Sequence, residues 1–119
     1  MEARVDLESV RPAGPGAWDV TWRVSSLREP VVLESAWVPH GRFRGDGRRN
    51  FGPGEPLPLS LTMRVHADEP PGTVVENAFV ILVLSGWRVF VRMRVEFDSR
   101  RVPNPVPELV TLQSTRASE

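Results

Sequence analysis

Between Thr73 and Asp98 the chain carries two long apolar runs separated only by Ser85-Gly86. A two-residue loop is the shortest common hairpin connection, and Gly86 supplies a position where φ turns positive. Folding the runs about that loop sets Leu84 opposite Trp87, Leu82 opposite Val89, Val80 opposite Val91 and Ala78 opposite Met93. Strand side chains alternate, so these residues share one face, and all of them are apolar. That face is expected to be core, with Glu76 opposite Val95 continuing the row. The other face pairs Val83 with Arg88, Ile81 with Phe90, Phe79 with Arg92 and Asn77 with Arg94. A slip of one residue would flip one strand and destroy the apolar row, which selects this register.

The second face does not read as a solvated surface. Phe79, Ile81, Val83 and Phe90 stand there among Arg88, Arg92 and Arg94. Aromatic residues and arginine are enriched in protein interfaces, and contiguous apolar area of this kind is unusual on a monomer. The competing expectation is that the chain's own loop or terminal segment covers the patch, or that arginine stems shield it. Left open, it is an interface with an apolar centre and an arginine rim. A two-fold homodimer using the patch twice is the simplest partner, another protein the next.

A chain of 119 residues fits one domain, expected over 1–115 with 116–119 as a frayed tail. Fifteen basic and fifteen acidic residues cancel, so no global field draws the chain to nucleic acid or to a membrane surface. Every basic residue is arginine, a composition expected of a high-GC genome. The absence of cysteine excludes disulfides, thiolate zinc sites and thiol nucleophiles. The N-terminus lacks a basic start and an apolar signal core, which places the chain in the cytoplasm, or outside it if a leader has been trimmed.

Twelve prolines and nine glycines cut the sequence into short segments without a sustained 3.6 period. Period two dominates instead. Arg4 to Val10 reads as an edge strand with Val5 and Leu7 inward. Trp18, Val20, Trp22 and Val24 alternate with polar residues, Val31 to Val38 forms a third strand, and Leu57 to His66 a fourth. The hairpin adds two, and Val106 to Leu112 a seventh that Pro103, Pro105 and Pro107 confine to an edge. The expected fold is all-β: an immunoglobulin-like β-sandwich of about seven antiparallel strands with a long 39–56 loop. Trp37 falls on the third strand, where such folds often bury a tryptophan.

Three turn segments carry a resemblance. Val24-Ser25-Ser26-Leu27 followed by Glu29-Pro30-Val31 resembles the strand–small polar turn–strand opening of bacterial immunoglobulin-like modules of the CARDB kind. Pro53-Gly54-Glu55 before the Leu57 strand and Pro71-Gly72 before Thr73 are similar to the Pro-Gly turns of those modules. The resemblance spans roughly Trp18 to Phe97 and implies a binding or spacer domain.

Other chemistry is sparser. The 39–56 loop gathers His40, Arg42, Arg44, Arg48 and Arg49, which could hold a phosphate, sulfate or carboxylate through bidentate contacts. Gly45, Gly47 and Gly52 lack phosphate-loop spacing, and a solvated loop with Phe43 and Phe51 packed down is the plainer expectation. His66, Asp68 and Glu69, even with His40, have no metal-ligand spacing, and neither metal nor cofactor is expected. No nucleophile elbow is present, and Ser85 sits in a hairpin turn. The tryptophans follow core periodicity rather than a sugar platform. The function expected is therefore a non-catalytic protein-interaction module, self-associating through the outer hairpin face. The alternative is an anion- or carbohydrate-binding module using the arginine-rich loop.

Overall fold

Period-two patterning becomes strand along most of residues 1–114, which are those the computed structural model describes. In chain order the strands are β1 (Ala3–Pro12), β2 (Ala17–Ser26), β3 (Val32–Trp37), β4 (Pro39–His40) and β5 (Phe43–Gly45). They continue with β6 (Arg49–Pro56), β7 (Leu59–His66), β8 (Val74–Leu84), β9 (Trp87–Phe97) and β10 (Pro103–Ser114). Two antiparallel sheets result, ordered β1-β2-β7-β5-β4 and β10-β9-β8-β3-β6. Among the described residues no helix is long and apolar enough to cross a membrane.

Each of the seven expected strand segments is strand, but among the described residues the count is ten, because 39–56 is not an irregular loop. The β4–β5 hairpin extends the first sheet alongside β7, and β6 pairs with β3 at the edge of the second. One segment thus feeds both sheets. Burial of Phe43 with no exposed area anchors it, and Phe51 packs half-buried against the core. Pro53-Gly54-Glu55 accordingly lies within β6 rather than in a turn before the next strand. The tail expected at 116–119 lies outside the described residues, and Ser114 closes β10.

The core lies between the sheets and is made of inward rows from each. The first sheet contributes Val5, Val20, Trp22, Val24, Leu61, Met63 and Val65. Leu33, Ala36, Val80, Leu82, Val89, Val91 and Met93 answer from the second. Each fully buried aliphatic side chain here contributes about 1.5–3 kcal/mol relative to exposure.

The hairpin register runs as expected from Leu84–Trp87 through Ala78–Met93. Of that row every residue except the half-buried Trp87 is buried. Both turn residues, not Gly86 alone, have positive φ (Ser85 42°, Gly86 82°), the type I′ condition that matches the strand twist. Ser85 Oγ accepts the Val32 N–H at 2.9 Å and Glu34 accepts the Gly86 N–H at 3.1 Å, tying the turn to β3.

Below Ala78 the expected pairing fails. Val75, not Glu76, lies opposite Val95, and Glu76-Asn77 form a bulge with Asn77 at φ 57°. Asparagine tolerates that left-handed conformation, and the extra residue turns Val75 inward at 1% exposure while leaving Glu76 in solvent. A second bulge, at Glu34 between Leu33 and Ser35, corrects the expectation for Trp37. Strict alternation from Leu33 would bury Trp37, whereas the bulge puts it opposite Ile81 on the outer face, half-buried. The fully buried tryptophan is Trp22 on β2.

Candidate functional site

The two sheets present outer faces of opposite character. On the first, the cross-strand rows read Arg11–Asp19–Arg64, Ser9–Thr21–Thr62 and Asp6–Arg23–Ser60. Every member is polar and most are satisfied locally. Arg64 grips Asp19 with Nε to Oδ1 at 2.6 Å and Nη2 to Oδ2 at 3.3 Å, Thr21 and Thr62 share a hydroxyl bond at 2.7 Å, and Ser60 donates to Glu8 at 2.7 Å. The hydrogen bonds from Arg64, reinforced by its charge, hold the Asp19 carboxyl below its ordinary range, and Asp19 raises Arg64 in turn.

The second outer face is built from the other phase of the hairpin and its neighbours. Its rows run Ser35–Val83–Arg88–Gln113, Trp37–Ile81–Phe90–Thr111 and Phe79–Arg92–Leu109. Val106 stands opposite Arg94 at the far end. Phe79, Ile81, Val83, Phe90, Arg88 and Arg92 are half-buried by one another, and Arg94 is exposed. Leu109 and Val106 are 49% and 41% exposed, so apolar surface continues outward along β10.

The chain covers this face only in part. Arg48, arriving from the β5–β6 connection, lays its guanidinium 4.4 Å from the Trp37 ring centroid and donates to Ser35 Oγ from Nη2 at 2.9 Å. That cover hides Ser35 and one side of Trp37. Beside it, β3 and β6 part around a hollow of about 450 Å³ lined by Glu34, Arg48, Phe51, Pro53 and Val83 among others.

The arginines are unequal. Arg94 is held by Glu76 at 3.5 Å and by Glu96 at 3.1 Å, on the solvent side of the bulge. Arg88 and Arg92 have no carboxylate partner among the described residues, and Arg88 Nε is buried without an acceptor there.

The arginine-rich segment is distributed among separate partners rather than gathered. Arg42 is paired with Glu69, and its backbone N–H donates to His40 Nδ1 at 3.0 Å. Arg49 donates to the Thr62 carbonyl at 2.8 Å and lies over Phe51, while Arg48 is taken up by Ser35 and Trp37. Arg44 is exposed on β5. His66 bonds Asp46 at 2.5 Å and Asp68 bonds Arg101 at 2.9 Å, so the residues weighed for metal face different partners.

Trp37, Arg48, Val106 and Leu109 join the face although the sequence pattern places none of them there, pointing Trp37 to the core and Arg48 to an anion-binding loop. The available signal was the β10 alternation for Val106, while the bulge at Glu34 hid Trp37. No protein-family model, no curated protein and no solved structure matches this chain.

Proposed function

We propose that the protein is a non-catalytic protein-interaction module whose contact surface is the outer face of the second sheet. One observation carries this reading: within a single fold, one outer face is uniformly polar and the other is apolar with arginine. Solvent treats the two faces alike, so their difference reflects what each one meets. The non-catalytic part is supported by how the usual reactive groups are used. Ser85 holds the turn, His40 caps the Arg42 amide and His66 is bonded to Asp46.

We also read the sandwich as immunoglobulin-like. The order β1-β2-β7-β5 corresponds to strands A-B-E-D of such folds and β3-β8-β9 to C-F-G, with β10 added beyond G. Fold alone does not give function, and the weight rests on the outer face itself.

Self-association is the form of this reading in which the face meets its own copy about a two-fold axis. The anion-binding alternative has less support, because Arg42, Arg48 and Arg49 are already engaged within the chain. Hydroxyl-radical footprinting of the isolated chain and of the chain in an extract of its own cells tests the proposal. Labelling at Phe90, Leu109 and Trp37 is expected to fall in the extract, with the solvent-accessible Trp18 of the first sheet unchanged. Equal labelling of the second face in both settings contradicts it.

A further inference from the structure

Resting on the reading of this face as a contact surface, we infer that its partner is an acidic segment of another protein, carrying carboxylates on either side of an apolar side chain. The argument is one of charge. The chain as a whole is neutral, yet the middle of this face holds Arg88 and Arg92 with no carboxylate to balance them among the described residues, and Arg48 beside them lies on Trp37 and Ser35. Of the acids on neighbouring strands, Glu76 and Glu96 are held by Arg94 and Glu34 by the Gly86 amide, while Glu108 stands exposed at the β10 bulge, outside the cross-strand rows of the face.

Both Arg88 and Arg92 are half-buried, and Arg88 Nε is already shut off from solvent without an acceptor. A desolvated guanidinium lacking a counter-charge is costly, and a carboxylate from outside would convert that cost into a charge-assisted, bidentate contact. A second copy of the face brings arginines and aromatics and, within its cross-strand rows, no carboxylate, so a face-to-face dimer sets like charges together in a drying interface. An acidic partner removes the conflict.

Geometry narrows the partner further. Arg88 and Arg92 lie four residues apart on β9 with Phe90 between them, on the same face, which separates them by about 13 Å. The matching ligand has two acidic groups at about that spacing and an apolar group between them to meet Phe90 and Ile81. The hollow lined by Phe51 and Val83 next to Arg48 offers a place for one further side chain.

Selection of a random 12-residue displayed peptide library on the immobilised full chain tests this. The selected peptides are expected to be rich in Asp and Glu interrupted by apolar residues. Their binding should weaken as salt rises from low to high ionic strength. It should fall roughly tenfold or more in Arg88→Gln/Arg92→Gln, checked for unchanged circular dichroism and melting. Selection without acidic enrichment, or full binding by that double variant, overturns the inference, as does a purified chain that sediments as a dimer held by this face. Phe79→Ser/Phe90→Ser separates the two levels. If it abolishes binding that the arginine variant retains, the face stands and the acidic partner falls. If it changes nothing, the face itself is not the contact surface.

Discussion

At the scale of single residues, the two hairpin faces make different demands. Leu82 is fully buried at the centre of the core row, whereas Phe90 one position across is half-buried against Ile81. Leu82→Ala is expected to cost about 2–5 kcal/mol in urea unfolding, as large-to-small core changes do. Phe90→Ala loses a cross-strand pair worth about 0.2–1 kcal/mol and is expected to leave a folded protein. Equal losses at the two positions would mean that Phe90 serves the fold rather than a partner. Asp19 gives a residue-level test on the opposite face. Its carboxyl is held below the ordinary range by Arg64, so the pair's stabilisation is present above the unfolded carboxylate value of about 3.9 and is lost as pH falls through the lowered folded value. The carboxyl resonance of Asp19 should therefore titrate below that of an ordinary aspartate, and Arg64→Gln should restore it. Because both side chains reach solvent, salt should shrink the difference.

Among elements, stretches of unbroken period two were legible, and the phase beyond a bulge was not. Alternation in β2 and β7, and the apolar row of β8 and β9, placed Val20, Trp22, Leu82 and Val91 in the core from sequence alone. Of the candidate face, Phe79, Ile81, Val83, Phe90, Arg88 and Arg92 were readable for the same reason. The extra residues at Glu34 and Asn77 were not, since a bulge reverses the phase of everything beyond it and leaves no mark in composition. So Trp37 moved from the expected core to the outer face, and Val75 took the inward place expected of Glu76. The strands β4, β5 and β6 escaped notice because β4 and β5 are only two and three residues long and β6 is interrupted by glycine and proline, so pairing rather than propensity makes them strands. Two element-scale predictions follow from the backbone. Asn77→Val puts a β-branched residue at φ 57° and should cost about 1–3 kcal/mol, while Asn77→Gly should cost little. Gly86→Ala, at φ 82° in the hairpin turn, should lower the melting temperature through strain of about 1–3 kcal/mol. A Gly86→Ala protein as stable as the parent would argue against the type I′ turn.

For the whole molecule, the sandwich is a scaffold with one face adapted to water and one that water suits poorly. Sheet order puts β8 and β9 near the middle of the second sheet, with β3 on one side and β10 on the other, so the apolar rows are broad rather than confined to an edge. Pro103, Pro105 and Pro107 discourage edge pairing along that end of β10, which agrees with the proposal that a partner meets the face. The most direct test of that claim compares a photo-reactive benzoylphenylalanine at position 90 with one at position 21, on the polar face, each in the chain expressed in its own cells. Irradiation is expected to give covalent adducts with another protein from position 90 and none from position 21. No adduct from position 90, or equal yields from the two faces, would contradict the account.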